Sequence, residues 1–335
     1  DGDLIQVDAG DYLGDVAVWQ QHDIRMQTLG GRVRLLAAGA AAEGKAIWVL
    51  RGGQVVLQGF DFFGCKVASG NGAGVRLETG HATVRDCAFM GNEMGLLTNN
   101  EARTTLDVIG SEFAHNFRPD AHNHNLYAGT IAKLTVTDSY FHHARTGHLL
   151  KSRAAISDVR YSRLTDEATG HASYELEFPN GGEVTLLGNL IAQSVGTENN
   201  TMISFGAEGY RWPRNALQIS SNTLIDHRDD PHGVRVFVAP GAPVDLRAVN
   251  NLLVGAGRLF AQGGLAGHAN AHIALDAFLA ATDANLMPRR GVPLFDPRET
   301  LHDPGPLGLP QREYVHPRHS RALTAPAHNP GAMQQ

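Results

Sequence analysis

The 335-residue chain carries 28 Lys and Arg against 34 Asp and Glu, a net charge of −6 with its 17 His neutral, which leaves nucleic acid and anionic membrane as poor partners. Charged residues make up only 19% and aromatics 7%, with 38 Gly, a profile that suits an all-β chain with many turns rather than a helical bundle. The two cysteines, Cys65 and Cys87, exclude a disulfide framework, and no apolar run approaches the ~18 residues of a membrane span.

Residues 1 to about 45 read as first coils with irregular columns. The chain opens in strand-like sequence from Asp1 to Gly10. An upstream signal and capping element are therefore expected, and with them a secreted or periplasmic location. From 46 to 259 one pattern recurs: a β-rich run, a small or polar residue, any residue, then a large apolar one. Its instances are Phe60-Asp-Phe62, Cys87-Ala-Phe89, Ser111-Glu-Phe113, Ser139-Tyr-Phe141, Ser162-Arg-Leu164, Asn189-Leu-Ile191, Asn222-Thr-Leu224 and Asn251-Leu-Leu253. Their spacings are 27, 24, 28, 23, 27, 33 and 29 residues. Such a period marks a solenoid with loops of varying length at fixed corners. Two strands per repeat, with no helix between them, make it a parallel β-helix. The Ser and Asn column predicts an internal polar ladder, and the Phe, Leu and Ile column a buried stack. Cys65 and Cys87 fall in different columns, so they are expected as free, buried thiols.

After Gly255 the pattern stops. Ile273 to Ala284 reads as a short helix, and the chain beyond Met287 is rich in proline (Pro288, Pro293, Pro297, Pro304, Pro306, Pro310 and Pro317). Residues 260–335 are expected to form a C-terminal cap and irregular tail over the coil stack, in one domain spanning 1–335. Two insertions, Asn116–Asn125 and Ser194–Asn200 (the latter followed by Gly206–Arg214), are expected to wall a groove.

Period-2 alternation places Lys151 and Arg153 on one face of their strand and Glu175 and Glu177 on the same face of the next. The outward positions, coil by coil, are expected to be Trp48 and Leu50, Arg76 and Glu78, Leu97 and Asn99, Tyr127 and Gly129, Lys151 and Arg153, Glu175 and Glu177, Ser204, and Arg235. A polar, elongated face of mixed charge suits a glycan. Tyr127 would stack on a sugar ring, with Asn99, Arg76, His148 and Arg235 as further binding residues.

The repeat columns, together with Leu149-Leu-Lys-Ser152 and the following Tyr161-Ser-Arg-Leu164, resemble the pectate-lyase superfamily of right-handed parallel β-helices. Within it they are similar to the chondroitinase B and alginate lyase family, over residues 46 to about 259. That resemblance implies a lyase on an acidic polysaccharide or oligosaccharide. It further implies a base from a Lys-Ser pair, an acid from an Arg one coil on, and a calcium held by Asn and Glu. Lys151-Ser152 matches the pair. The next coil carries Glu175 and Glu177 where the Arg would stand, and Arg153 is the substitute.

β-Elimination from a uronate needs a neutralised carboxylate, a base for the C5 proton and a proton for the leaving oxygen. Lys151 is the expected base and Arg153 the acid. Ca²⁺ on Glu175, Glu177 and Asn199 (or Asn180 or Asn200) would relieve the charge conflict. A simpler arrangement pairs Lys151 and Arg153 with Glu177 and Glu175 in salt bridges on a solvated sheet. His122, His124, His142, His143 and His148 are expected near the groove, with His124 and His148 as alternative acid or base. Three other readings stay open: a glycoside hydrolase using Glu175 and Glu177, a C5-epimerase to which Asp230-Pro-His232 is weakly similar, and a non-catalytic glycan-binding β-helix.

Overall fold

The computed structural model describes residues 2–120, 122–261, 270–290, 292, 294 and 301–334. Pro293 and Pro297 of the tail, and Ala121 of the first insertion, lie outside the described residues. The chain is a right-handed parallel β-helix of about 9 turns. Each regular coil contributes a strand to three faces. The first face runs through Met94–Thr98, Leu126–Ala128, Leu150–Ser152, Leu176–Phe178, Ile203–Phe205, Val234–Val238 and Arg258–Phe260. The second runs through Thr105–Ile109, Lys133–Thr137, Ile156–Arg160, Glu183–Leu187, Ala216–Ser220 and Asp245–Val249. The third runs from Phe60–Phe63 through Ala88–Met90, Glu112–Ala114, Tyr140–His142, Arg163–Thr165, Leu190–Gln193, Thr223–Asp226 and Leu252–Val254 to Ala271–Ile273. All of these strands pair in parallel, as a solenoid requires.

The corner between the second and third faces explains the repeat. The residue before each ladder position adopts a left-handed backbone: Asp86, Gly110, Asp138, Tyr161, Gly188, Ser221 and Asn250 all have φ between 48° and 68°. Mostly Gly, Asp, Asn and Ser stand there, the residues that tolerate this conformation. Gly188 is needed twice over, since a Cβ there would stand 2.7 Å from the Tyr161 ring. The ladder itself is formed. Each backbone N–H donates to the side-chain oxygen one coil on, from Cys87 to Ser111, Ser139, Ser162, Asn189, Asn222, Asn251 and finally Asn270. This satisfies donors that the bend leaves without strand partners. A second ladder, Asn92–Asn116–Asn125, turns the opposite corner. Asn116 and Asn125 are thus buried ladder residues, and only the chain between them forms the loop.

Inside, Phe62, Phe89, Phe113 and Phe141 stack with ring centroids 5.1, 4.7 and 4.6 Å apart. This spacing follows the coil repeat rather than the tilted geometry common among buried rings. Cys65 and Cys87 are free and buried. The helix spans Leu275–Ala281, shorter at both ends than expected, and buries Phe278 and Ala281. Beyond it the tail runs along the outside of the third face. His302 pairs with Asn250, Ala332 with Thr223, and Arg318 reaches Asp86 and Glu112.

Candidate functional site

The first face carries one outward column in strict register: Val49, Arg76, Leu97, Tyr127, Lys151, Glu177, Ser204 and Phe237. Trp48 and Leu50, expected to point outward, lie instead in the core beside Phe60 and Phe62, because Val49 holds the outward register. Glu78 is buried in a network with Lys45 and Arg51, and its charge acts on Arg76 of the column.

Lys151 is the centre of the column. Its Nζ lies 2.6 Å from Glu177 and 3.1 Å from Glu208. Glu177 Oε2 also lies 2.9 Å from Nε2 of His148. Burial raises the Glu177 carboxyl, but the hydrogen bonds and charges of His148 and Lys151 outweigh it and bring it down to about 2. Arg153 follows one position beyond Ser152. Its Nε donates to the Tyr127 hydroxyl at 2.8 Å, one Nη to Asn180 at 3.2 Å, and both Nη groups to the Glu208 carboxylate. Ser152 itself is buried and bonds Ser157.

Two histidines line the approach. His124 stacks between Tyr127 and His148, with centroids 5.7 and 4.6 Å away. Its Nδ1 accepts the His148 backbone N–H at 3.0 Å, and His148 Nδ1 accepts that of Tyr174 at 3.3 Å. Burial holds both imidazoles below the usual histidine range, His124 far below. Both are therefore neutral with the proton on Nε2, and their lone pairs are already engaged. This stack exists because Gly147 passes against the Asn123 carbonyl, where a Cβ would stand at 1.4 Å. His122 lines the cleft, whereas His142 projects from the third face to Glu112, and His143 follows it there.

Beside the column a cleft of about 520 Å³ is lined by Asn71, Arg76, Leu97, Asn99, His122 and Tyr127, among others. Asn99 accepts from Nε and one Nη of Arg76, fixing the guanidinium at the cleft edge. Among the described residues, no helix is long and apolar enough to cross a membrane.

Two expected site residues face the wrong way. Glu175 has 0% exposure and lies inside the coil. The backbone N–H groups of Glu175 and Leu176 both donate to the Met202 carbonyl, so alternation fails at the strand's entry and the two residues turn inward together. Neither Glu175 oxygen has a hydrogen-bond partner among the described residues. Burial, then the charges of Asp166 and Asp226, hold its carboxyl well above the ordinary range. Asp166 nearby is pushed up to about 7 by burial. Arg235 is also buried, at 2% exposure, and donates to the carbonyls of Val254 and Gly255. Val236 and Phe237 pair with Ile203 and Ser204, and the Met202 N–H donates to the Arg235 carbonyl, so Arg235 stands in line with Met202 and Glu175 rather than in the outward column.

Glu175 and Glu177 therefore do not converge. Asn199 spends its amide on Ser173. A calcium does not fit the Glu175, Glu177 and Asn199 set: one carboxylate is interior and the other is engaged by an ammonium and an imidazole. Among the described residues, no group of three His, Cys, Asp or Glu is arranged to hold a metal ion. The Glu175/Glu177 pair cannot flank a glycosidic bond for the same reason. Asp230-Pro-His232 closes a local turn, with the His232 N–H bonded to Asp230.

Glu208 is the residue the sequence reading missed. It comes from the Gly206–Arg214 insertion, recognised as a wall but not as a donor of chemistry. Asn180, read only as a metal candidate, serves as a partner of Arg153.

No protein-family model and no curated protein matches the sequence. Among solved structures, the chain is similar to pectate lyase Pel9A, with a TM-score of 0.55 and 12% identity over 99% of this chain and 88% of that one. At that identity the likeness is one of fold. It supports the parallel β-helix and does not reach the chondroitinase B and alginate lyase family.

Proposed function

We propose that this β-helix is a polysaccharide lyase that cleaves a uronate-containing glycan by β-elimination on its first face, in a secreted or periplasmic setting. The observation that carries the reading is the Lys151–Arg153 cation pair, set against the Tyr127 hydroxyl beside an open polar cleft. Two adjacent cations match a sugar carboxylate, and neutralising that carboxylate acidifies the C5 proton.

The base role expected of Lys151 fits Tyr127 better. Lys151 is ion-paired with two carboxylates, so it supplies positive charge rather than a lone pair. The two histidines have their lone pairs engaged. The Tyr127 oxygen sits at the groove, and negative charge developing on it meets the Arg153 guanidinium at 2.8 Å. In this mechanism the Tyr127 oxygen takes the C5 proton as it gives up its own hydroxyl proton, and the C5 electron pair forms the C4–C5 double bond. The C4–O bond breaks, and the departing oxygen takes the proton from Tyr127. Arg76, oriented by Asn99, is the outlying cation for a second acidic unit.

Hydrolysis is the competing reading, because Glu177 and Glu208 both lie against one ammonium. A glycosidase needs one of its carboxyls protonated. Glu177 is down at about 2 despite its burial, and Glu208 is held below the ordinary range, first by its hydrogen bond to Arg153. Neither is poised as a general acid. The test is incubation with a panel of uronate polysaccharides, following the ultraviolet absorbance of the unsaturated product. New reducing ends without that absorbance would refute elimination. Tyr127→Phe is expected to lower kcat at least about 10²-fold, whereas Lys151→Met raises KM.

A further inference from the structure

Glu208 stands where the proposed substrate would have to bind. Its carboxylate accepts from both Nη groups of Arg153 and from Nζ of Lys151, so it spans the two cations as a uronate carboxylate would. It approaches from the solvent side of the column, from a wall loop 55 residues further along the chain than Arg153. Its side chain remains 42% exposed, whereas Lys151 and Glu177 beneath it are 11% and 7% exposed.

The loop backbone is anchored on both sides of this residue. Gly206, Glu208 and Arg211 donate to the carbonyls of Phe178, Pro179 and Asn180. Tyr210 bonds Ala239 and packs on Phe205, and the Trp212 indole donates to the Arg153 carbonyl at 3.1 Å. The loop is therefore held in place, while the Glu208 side chain is tied at its tip and open to water. Rotation about its own torsions can vacate the site without unfolding the wall.

We infer that Lys151 and Arg153 form a carboxylate subsite that the chain fills with its own Glu208, and that an acidic sugar enters by displacing this side chain. This rests on the acidic-glycan reading above and adds to it an internal competitor, which sets how strongly a ligand must bind. A neutral sugar cannot replace the lost charge contacts, so Glu208 also discriminates against uncharged glycans. Glu177 does not take part in the exchange: it is buried beneath Lys151 and remains its partner when Glu208 leaves.

The experiment titrates the wild-type chain and Glu208→Gln with oligogalacturonate, oligoguluronate and glucuronate-containing oligosaccharides, each beside its carboxyl-reduced counterpart. Calorimetry gives affinity, and Trp212 fluorescence reports the site, with Trp212→Phe as the control for Trp19 and Trp48. Releasing two partly exposed charge contacts is expected to tighten binding of the acidic ligand about tenfold in Glu208→Gln, with the reduced ligand unchanged in both proteins. Equal or weaker binding of the acidic ligand by Glu208→Gln would overturn the competitor role while leaving the acidic-glycan reading standing. No preference for acidic over reduced ligands in either protein would overturn both. Thermal melting of both proteins separates these outcomes from a loss of fold.

Discussion

Replacing Glu175 by Gln probes the interior of the coil, where the protein keeps a carboxyl without a hydrogen-bond partner among the described residues. Burial, reinforced by Asp166 and Asp226, holds that carboxyl well above its ordinary value. Between the ordinary carboxyl value and its raised folded value it is protonated in the folded chain and ionised in the unfolded one. Folding then takes up a proton. The sign follows: stability is full below the unfolded value near 4.5 and is lost as pH rises toward the raised folded value. Each pH unit in that window costs about 1.4 kcal/mol. Gln cannot ionise and escapes this cost, though its amide donors also lack partners, at about 1–3 kcal/mol whatever the pH. The measurable quantity is therefore the change with pH. Urea unfolding followed by circular dichroism should show Glu175→Gln gaining on wild type as pH rises above 4.5, by about 1.4 kcal/mol per pH unit within that window. A difference independent of pH would mean that Glu175 is ionised in the folded chain and faces water, contradicting its inward placement.

Glu177 should behave in the opposite sense. Brought down to about 2, it contributes stability above pH 4.5 that is lost as pH falls through that window, on the order of 3 kcal/mol, and Glu177→Gln should flatten acid unfolding. Asn222→Ala removes a side chain that accepts from Asn189 and donates to Leu186 and Asn251, leaving buried groups without partners. A loss of about 2–4 kcal/mol in urea unfolding is expected; a loss under about 0.5 kcal/mol would show the ladder to be incidental. Both thiols are buried and pushed up to about 12 by that burial, so thiol reagents at pH 8 should label Cys65 and Cys87 only after unfolding. Rapid labelling of the native chain would contradict their placement.

Much of the fold is legible in the sequence because a solenoid repeats its constraints. Ser139, Ser162 and Asn189 announce a corner three times over, and the left-handed residue before each is mostly Gly, Asp, Asn or Ser. Lys151 over Glu177 is legible for the same reason, as neighbouring rungs in register. The rest depends on events without period. Glu175 and Arg235 look outward by alternation, but Glu175 lies just before its strand and Arg235, inside its own, stands in line with Met202 and Glu175, and both are buried. Glu208 belongs to no column. Its loop is visible as an insertion, yet nothing in the sequence says which of its residues folds back on Arg153. The neutral histidine stack depends on a close approach at Gly147 that only the assembled coils reveal.

The central claim is that this face breaks a glycan by elimination, and the mass of its products tests it most directly. Acidic oligosaccharides of defined length, digested and weighed by mass spectrometry, should yield one fragment at its full hydrated mass and a partner lighter by one water, carrying the new double bond. Two fully hydrated fragments, with their masses summing to substrate plus water, would contradict elimination and return the site to Glu177 and Glu208 as a hydrolytic pair.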